Sequence, residues 1–152
     1  MLHRLSRGRV LGTKFVAALL VSVVFGLVAA ALAWLTPPLA LSLFGLDTAG
    51  AGVDPEIVAG VLGVNILAGV WGFALGVLLR NPVVAVGLFA GQTLLLETYG
   101  AKAVPEVGKY LLTSVLGSLY KDPSPLSMAV LPALGIALAW VGVAMVGAVG
   151  TF

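Results

Sequence analysis

The sequence predicts an all-α integral membrane protein with four transmembrane helices and an amphipathic surface helix between the third and the fourth. Three observations carry this. The chain of 152 residues is 61% hydrophobic and 9% charged, whereas a soluble domain carries about 25% charged residues. Its mean hydropathy is +1.16. Its apolar residues fall in long runs near the roughly 20 residues that a helix needs to cross a bilayer, separated by proline, glycine and charge. The 20 glycines agree, since glycine is frequent in membrane helices.

The same composition excludes several classes of function. With no cysteine there is neither a disulfide framework nor a thiolate metal site. The single histidine, His3, sits in a basic N-terminal stretch and reads as a solvated tail residue. The net charge is +2 and the basic residues are scattered beside apolar runs, which does not point to nucleic acid.

In chain order, residues 1–14 form a basic segment with Arg4, Arg7, Arg9 and Lys14 and no acid. The run 15–35 is about twice the length of a signal-peptide apolar region, so it reads as the first span. Thr36-Pro37-Pro38 is expected to break that helix, because consecutive prolines remove donors and clash with the preceding turn, leaving 39–46 as either a kinked continuation or an interfacial segment. An acidic, glycine-rich loop follows, ending in Asp54 as N-cap and Pro55 as first helical residue.

The second span, 57–79, and the third, 82–99, form a helical hairpin whose turn is Arg80-Asn81-Pro82. Asn81 is a good N-cap and Pro82 a good first residue. In the second span Asn65, Gly69, Gly72 and Gly76 share a face, a small-residue stripe suited to close helix packing. In the third, Gly87 and Gly91 form a GxxxG on one face, while Phe89, Thr93 and Glu97 share another. At 1.5 Å per residue Glu97 lies about 22 Å along the axis, toward the far boundary of the hydrocarbon. Asn65, Gln92, Thr93 and Glu97 are the polar residues available to a substrate path or gate, and an ionisable group at such a depth needs a partner or water.

Residues 105–120 read as the surface helix. Val107, Tyr110, Leu111, Val115 and Leu119 recur at helical spacing, with Lys109 and Thr113 opposite. Tyr99, Tyr110 and Tyr120 suit an interface. Asp122-Pro123-Ser124-Pro125 ends that helix. The fourth span, 126–149, has no charge and carries Pro132 as a kink candidate. The transmembrane domain thus covers 15–152.

The basic excess of Arg4, Arg7, Arg9, Lys14 and Arg80 on one side sets the orientation. Both termini and the Arg80 corner are then cytoplasmic, with every acid on the other side. No metal-binding, nucleophile-elbow or phosphate-loop pattern occurs, so no catalytic residue, metal or cofactor is assigned.

Three stretches resemble the membrane-spanning subunits of type-2 ABC exporters. The run SRGRVLGTK (6–14) resembles the basic cytoplasmic segment leading into their third span. The run GFALGVLLRNPVVAV (72–86) is similar to their corner between the fourth and fifth spans. Glu97, the Lys109-Tyr110-Leu111 helix and the last apolar run resemble their extracellular helical region before the sixth span. Those permeases have six spans. The first two have no counterpart here, so the resemblance implies that Met1 falls in the loop before the third. It further implies a plasma (inner) membrane permease for a hydrophobic or amphipathic substrate. The chain would dimerise with a second permease chain and dock an ABC-type ATPase subunit at Arg7, Arg9, Lys14 and Arg80. ATP hydrolysis would belong to that separate subunit. Two alternatives stand beside it: a small four-span proton-coupled exporter, for which Glu97 is the one carboxylate candidate, and a non-transporting scaffold subunit.

Overall fold

The structure, a computed structural model, describes residues 2–150, with side chains throughout that range except at 2–7, 96 and 98. The described residues are helical apart from loops and turns. Among the described residues four helices are long and apolar enough to cross a membrane, which makes this a multi-pass membrane protein. Their outward faces present large exposed apolar side chains, such as Phe25, Leu32, Val86, Val143 and Val146. A lipid environment satisfies these at no cost.

Helix α1 (Leu2–Leu43) is a single rod of 42 residues, about 63 Å long at 1.5 Å per residue. It takes in the basic segment and continues through Pro37 and Pro38, contrary to the break expected there. The prolines leave the carbonyls of Ala33 and Trp34 without their usual donors, but membrane helices tolerate such gaps when nearby hydroxyls and neighbours compensate. Thr36 Oγ1 donates to Leu32 O at 2.6 Å, one residue before the first of these carbonyls. The true stop is Gly45. At φ +66° it takes the left-handed conformation that glycine adopts without penalty. Gly45 N then donates to Ser42 O, and Leu46 N to Leu41 O at 2.9 Å, satisfying the last carbonyls in a Schellman motif.

Helix α2 (Pro55–Leu79) starts as read: Asp54 caps it by accepting from Glu56 N at 2.9 Å, and Pro55 occupies the first turn. It ends at Arg80, whose φ of 51° turns the chain. Asn81 caps α3 (Pro82–Gly91), accepting from Val83 N at 3.0 Å and Val84 N at 3.3 Å. The third span does not stay α-helical. Gln92–Glu97 is a π-helical turn, after which α4 (Thr98–Ala103) completes a span of 22 residues.

The single surface helix expected over 105–120 is instead two short helices, α5 (Pro105–Gly108) and α6 (Leu112–Leu119). Trp140, midway along α7 (Val130–Gly150), donates its indole N–H to Tyr110 O at 3.0 Å. The chain therefore dips to the middle of the bundle at 109–111 and climbs back through α6. Helix α6 buries Leu112, Val115, Leu116 and Leu119 against the core. Its apolar face is amphipathic at i, i+3, i+4 and i+7, and α2 and α7 cover that face in place of a membrane surface.

Helix α7 begins later than expected because 124–128 is held in turns: Ser127 N donates to Ser124 O, and Met128 N to Ser118 Oγ, both at 3.0 Å. Pro132 thus falls in the first turn, where its missing N–H has no intrahelical partner to lose.

Helix α2 is the centre of the bundle. It runs antiparallel to α1, with Phe15 edge-on to Phe73 at 5.6 Å. Ser22 faces Gly69, and Gly26 faces Leu62 and Asn65. It runs parallel to α7, with Trp71 edge-on to Trp140 at 5.7 Å and 87°. The buried stripe of α7 is Ala133, Ala137, Val141, Ala144 and Ala148. With no hydrophobic drive between helices in lipid, such small residues let backbones approach and gain dispersion contacts.

A candidate polar cavity behind Glu97

The polar residues of the third span converge on a cavity of about 670 Å³. It lies at the end of the bundle opposite the Arg80 corner, between the π turn, α4, α6 and the 120–127 loop. Thr93, Glu97, Ala101 and Lys102 form one wall; Thr113, Ser114 and Ser118 form another; Tyr120, Asp122 and 124–127 close the third.

Glu97 is the buried carboxyl of this cavity. It is 5% exposed. Its Oε1 accepts from Gln92 Nε2 at 3.0 Å, and its Oε2 from Thr113 N at 2.6 Å. Thr113 is in the first turn of α6, so the carboxylate satisfies one of that helix's orphan donors and faces its positive dipole end. The π turn makes the first bond possible. In an α-helix residue i+5 lies about 140° around from residue i, whereas the wider π turn brings the two toward one side. Thr93, one residue on, donates to Phe89 O at 2.9 Å and still lines the cavity.

The structure therefore brings Gln92, Thr93 and Glu97 together. It does not bring Asn65 to them. Asn65 lies on the α1–α2 seam, with its Nδ2 donating to Val61 O at 2.8 Å and its Cβ close to Gly26. Of the packing glycines, Gly69 meets Ser22, while Gly72, Gly76, Gly87 and Gly91 have no atom of this chain where a Cβ would sit. The seams use glycines outside the expected stripe. Gly26 meets α2, and Gly60 meets the backbone of Leu119 and Tyr120. Arg9, Lys14 and Arg80 are exposed at the opposite end of the bundle; the side chain of Arg7 lies outside the described residues.

Cavity residues missed in the sequence are Ser114, Ser118 and Asp122. Their signal was present: Ser114 and Ser118 are i, i+4 opposite the leucines of α6. Ser118 Oγ donates to Ser114 O at 2.8 Å and accepts from Met128 N, so it ties α6 to the start of α7.

A second pocket of about 560 Å³ lies against the other side of Glu97. Its lining is mainly apolar: Leu88, Gly91, Leu95, Leu111 and Trp140, with Gln92 beside them. Glu97 borders both spaces.

At the outer edge of the polar cavity, Lys121 clamps the 120–127 loop to α2. Its ammonium lies 2.7 Å from Asp54 Oδ2 and 2.6 Å from Glu56 Oε2. The Lys121 hydrogen bond, then that from Glu56 N, holds the Asp54 carboxyl below its ordinary 3.8. The bonds to Asp54 and Glu56 likewise hold Lys121 above 10.5. Lys121 has φ 58°, and the clamp over-determines this left-handed turn. A second exposed pair, Lys109–Glu106 at 2.9 Å, sits on the 105–111 segment. Among the described residues no group of acids and histidines could hold a metal ion.

No family model matches the sequence, and no curated protein or solved structure matches it either.

Proposed function

We propose that this chain is a permease subunit of an ATP-driven exporter of the type-2 ABC kind, contributing part of the path for a hydrophobic or amphipathic substrate. The observation that carries the reading is the polarity of the bundle. One end holds an exposed basic set, Arg9, Lys14 and Arg80; the other holds the acids and a polar cavity reaching Glu97. By the charge rule the basic end is cytoplasmic and the cavity faces outward. A separate ATPase subunit docks on the basic end, and a second permease chain packs on the small-residue faces at Gly72, Gly76, Gly87 and Gly91. The dipping 104–119 segment takes the place of a surface helix in this scheme. It packs on α2 and α7, the elements that shift between inward and outward states when ATP binds.

The proton-coupled alternative has less support. Both oxygens of Glu97 accept bonds that hold α6 in place, so a proton relay there would loosen the fold at each cycle.

The proposal expects a neighbouring reading frame to encode an ABC-type ATPase, and co-purification with such an ATPase subunit tests it. Association and substrate-stimulated ATP hydrolysis are expected, with Arg9→Glu/Lys14→Glu weakening association at least tenfold. Undiminished association of that variant removes the docking role. A complex whose ATPase no amphiphile stimulates leaves the scaffold reading in its place.

A further inference from the structure

The geometry points to a binding site for a single-chain amphiphile with an ammonium head, seated across Glu97. The inference rests on the reading of the Glu97 cavity as a substrate site, and it names the substrate class.

Two adjoining spaces of opposite character carry it. The outer cavity has a size typical of small-molecule sites, and the hydroxyl residues Thr93, Ser114 and Tyr120 line it. Its charged lining is Glu97, Asp122 and Lys102. Glu97 is nearly fully buried, and its two partners, an amide and a backbone N–H, are neutral. Asp122 makes no ion pair among the described residues. Lys102 is exposed on α4, where solvent screens its charge. Two carboxylates face one screened ammonium, so the cavity has a net preference for a cation. A buried carboxylate surrounded by low dielectric gains most from a paired, hydrogen-bonding counter-charge. A primary ammonium brings three donors, which match carboxylate oxygens with lone pairs to spare and the hydroxyl oxygens nearby.

The inner pocket excludes a purely polar ligand. Leu88, Leu95, Leu111 and Trp140 line an open groove of about 560 Å³, with Leu88 and Leu95 exposed at its edge, and Gly91 leaves room in it, with no side-chain atom where its Cβ would be. This suits an alkyl or aryl tail, whose apolar surface the pocket buries. Because Glu97 borders both spaces, a ligand with its charge at Glu97 has its tail directed at the inner pocket.

The test uses the whole chain in nanodiscs of zwitterionic lipid, with empty nanodiscs subtracted, and equilibrium dialysis of four probes: n-octylammonium, ethylammonium, n-octanol and n-octyl sulfate. Saturable n-octylammonium binding, at least tenfold tighter than the other three, is expected. Asp122→Asn, an isosteric change on the 120–127 loop that keeps the backbone bond to Gly117 O, should weaken it at least threefold. Gly91→Leu fills the inner pocket and should weaken n-octylammonium while leaving ethylammonium unchanged. Equal binding of n-octanol or n-octyl sulfate, or no effect of either variant, overturns the proposal. Glu97→Gln is informative only with helicity checked, since it alters the α6 cap. Octylammonium binding with no stimulation of the ATPase would keep the site and remove the exporter reading. ATPase stimulation by other amphiphiles without octylammonium binding would do the reverse.

Discussion

Replacing Gly69 by alanine tests the α1–α2 seam with a sign change. The added Cβ would lie 2.6 Å from Ser22 Cβ and closer still to Ser22 Oγ. A rotamer change moves the hydroxyl away but not the Cβ. Carbon atoms prefer about 3.5–4.0 Å, so the two helices must separate by roughly 1 Å over that contact. Overpacking of this kind costs about 1–3 kcal/mol. Alanine's helix propensity over glycine returns up to about 1 kcal/mol. Gly69→Ala should therefore be destabilising, by up to about 2 kcal/mol. In a Ser22→Gly background the obstacle becomes Ser22 Cα at 3.7 Å, which is ordinary contact. There the same Gly69→Ala should stabilise by up to about 1 kcal/mol. The double-mutant cycle thus has a coupling of about 1–3 kcal/mol, read by reversible unfolding in mixed micelles with Trp71 and Trp140 fluorescence. If Gly69→Ala stabilises equally in both backgrounds, the helices do not meet at Ser22 and the seam is misplaced.

Other glycines should rank by what their Cβ would strike. Gly60→Ala meets the carbonyl carbon of Leu119 at 2.6 Å and Tyr120 Cα at 2.8 Å; backbone cannot rotate aside, so the loss should exceed that of Gly69→Ala in the same unfolding assay. Gly72→Ala and Gly76→Ala meet nothing within 4 Å and should be neutral or stabilising by up to about 1 kcal/mol; loss in the isolated chain would show an unrecognised contact. For the clamp, the Asp54 carboxyl is depressed in the fold, so its contribution is present above about pH 3.8 and lost as pH falls through the lower folded value. Lys121 is raised, so its contribution is present below 10.5 and lost as pH rises through the higher folded value. Lys121→Met should lower the unfolding midpoint between those limits and flatten its pH dependence at the acid end; a parallel downward shift at every pH would mean the clamp does not carry the titration.

Much of the frame was legible because it depends on local chemistry. Asp54-Pro55 and Asn81-Pro82 act through bonds to the next two or three residues, so the start of α2 and α3 could be read directly. The end of α1 was not, because two opposing local signals were present. Pro37-Pro38 looked stronger than Gly45, yet membrane helices accept proline where neighbouring helices, hydroxyls or local adjustment satisfy the freed backbone groups, and Gly45 provides the left-handed turn that ends α1. The 105–120 segment had the right amphipathic period but an ambiguous partner. Leucines at helical spacing bury equally well against lipid or against α2 and α7.

By itself the sequence determined that this chain lives in a membrane, where α2 and α3 begin, and which end carries the positive charge. These follow from transfer free energy, capping and charge counts, all properties of single residues or short windows. Only the tertiary structure decided which polar residues meet. The Gln92–Glu97 π turn, the bond from Thr113 N to Glu97 and the approach of Leu119 to Gly60 join residues whose sequence neighbours give no hint of one another. Small residues allow close contact on any face, so the choice of Gly26, Gly60 and Gly69 over Gly72 and Gly76 is made by the packing of the whole bundle.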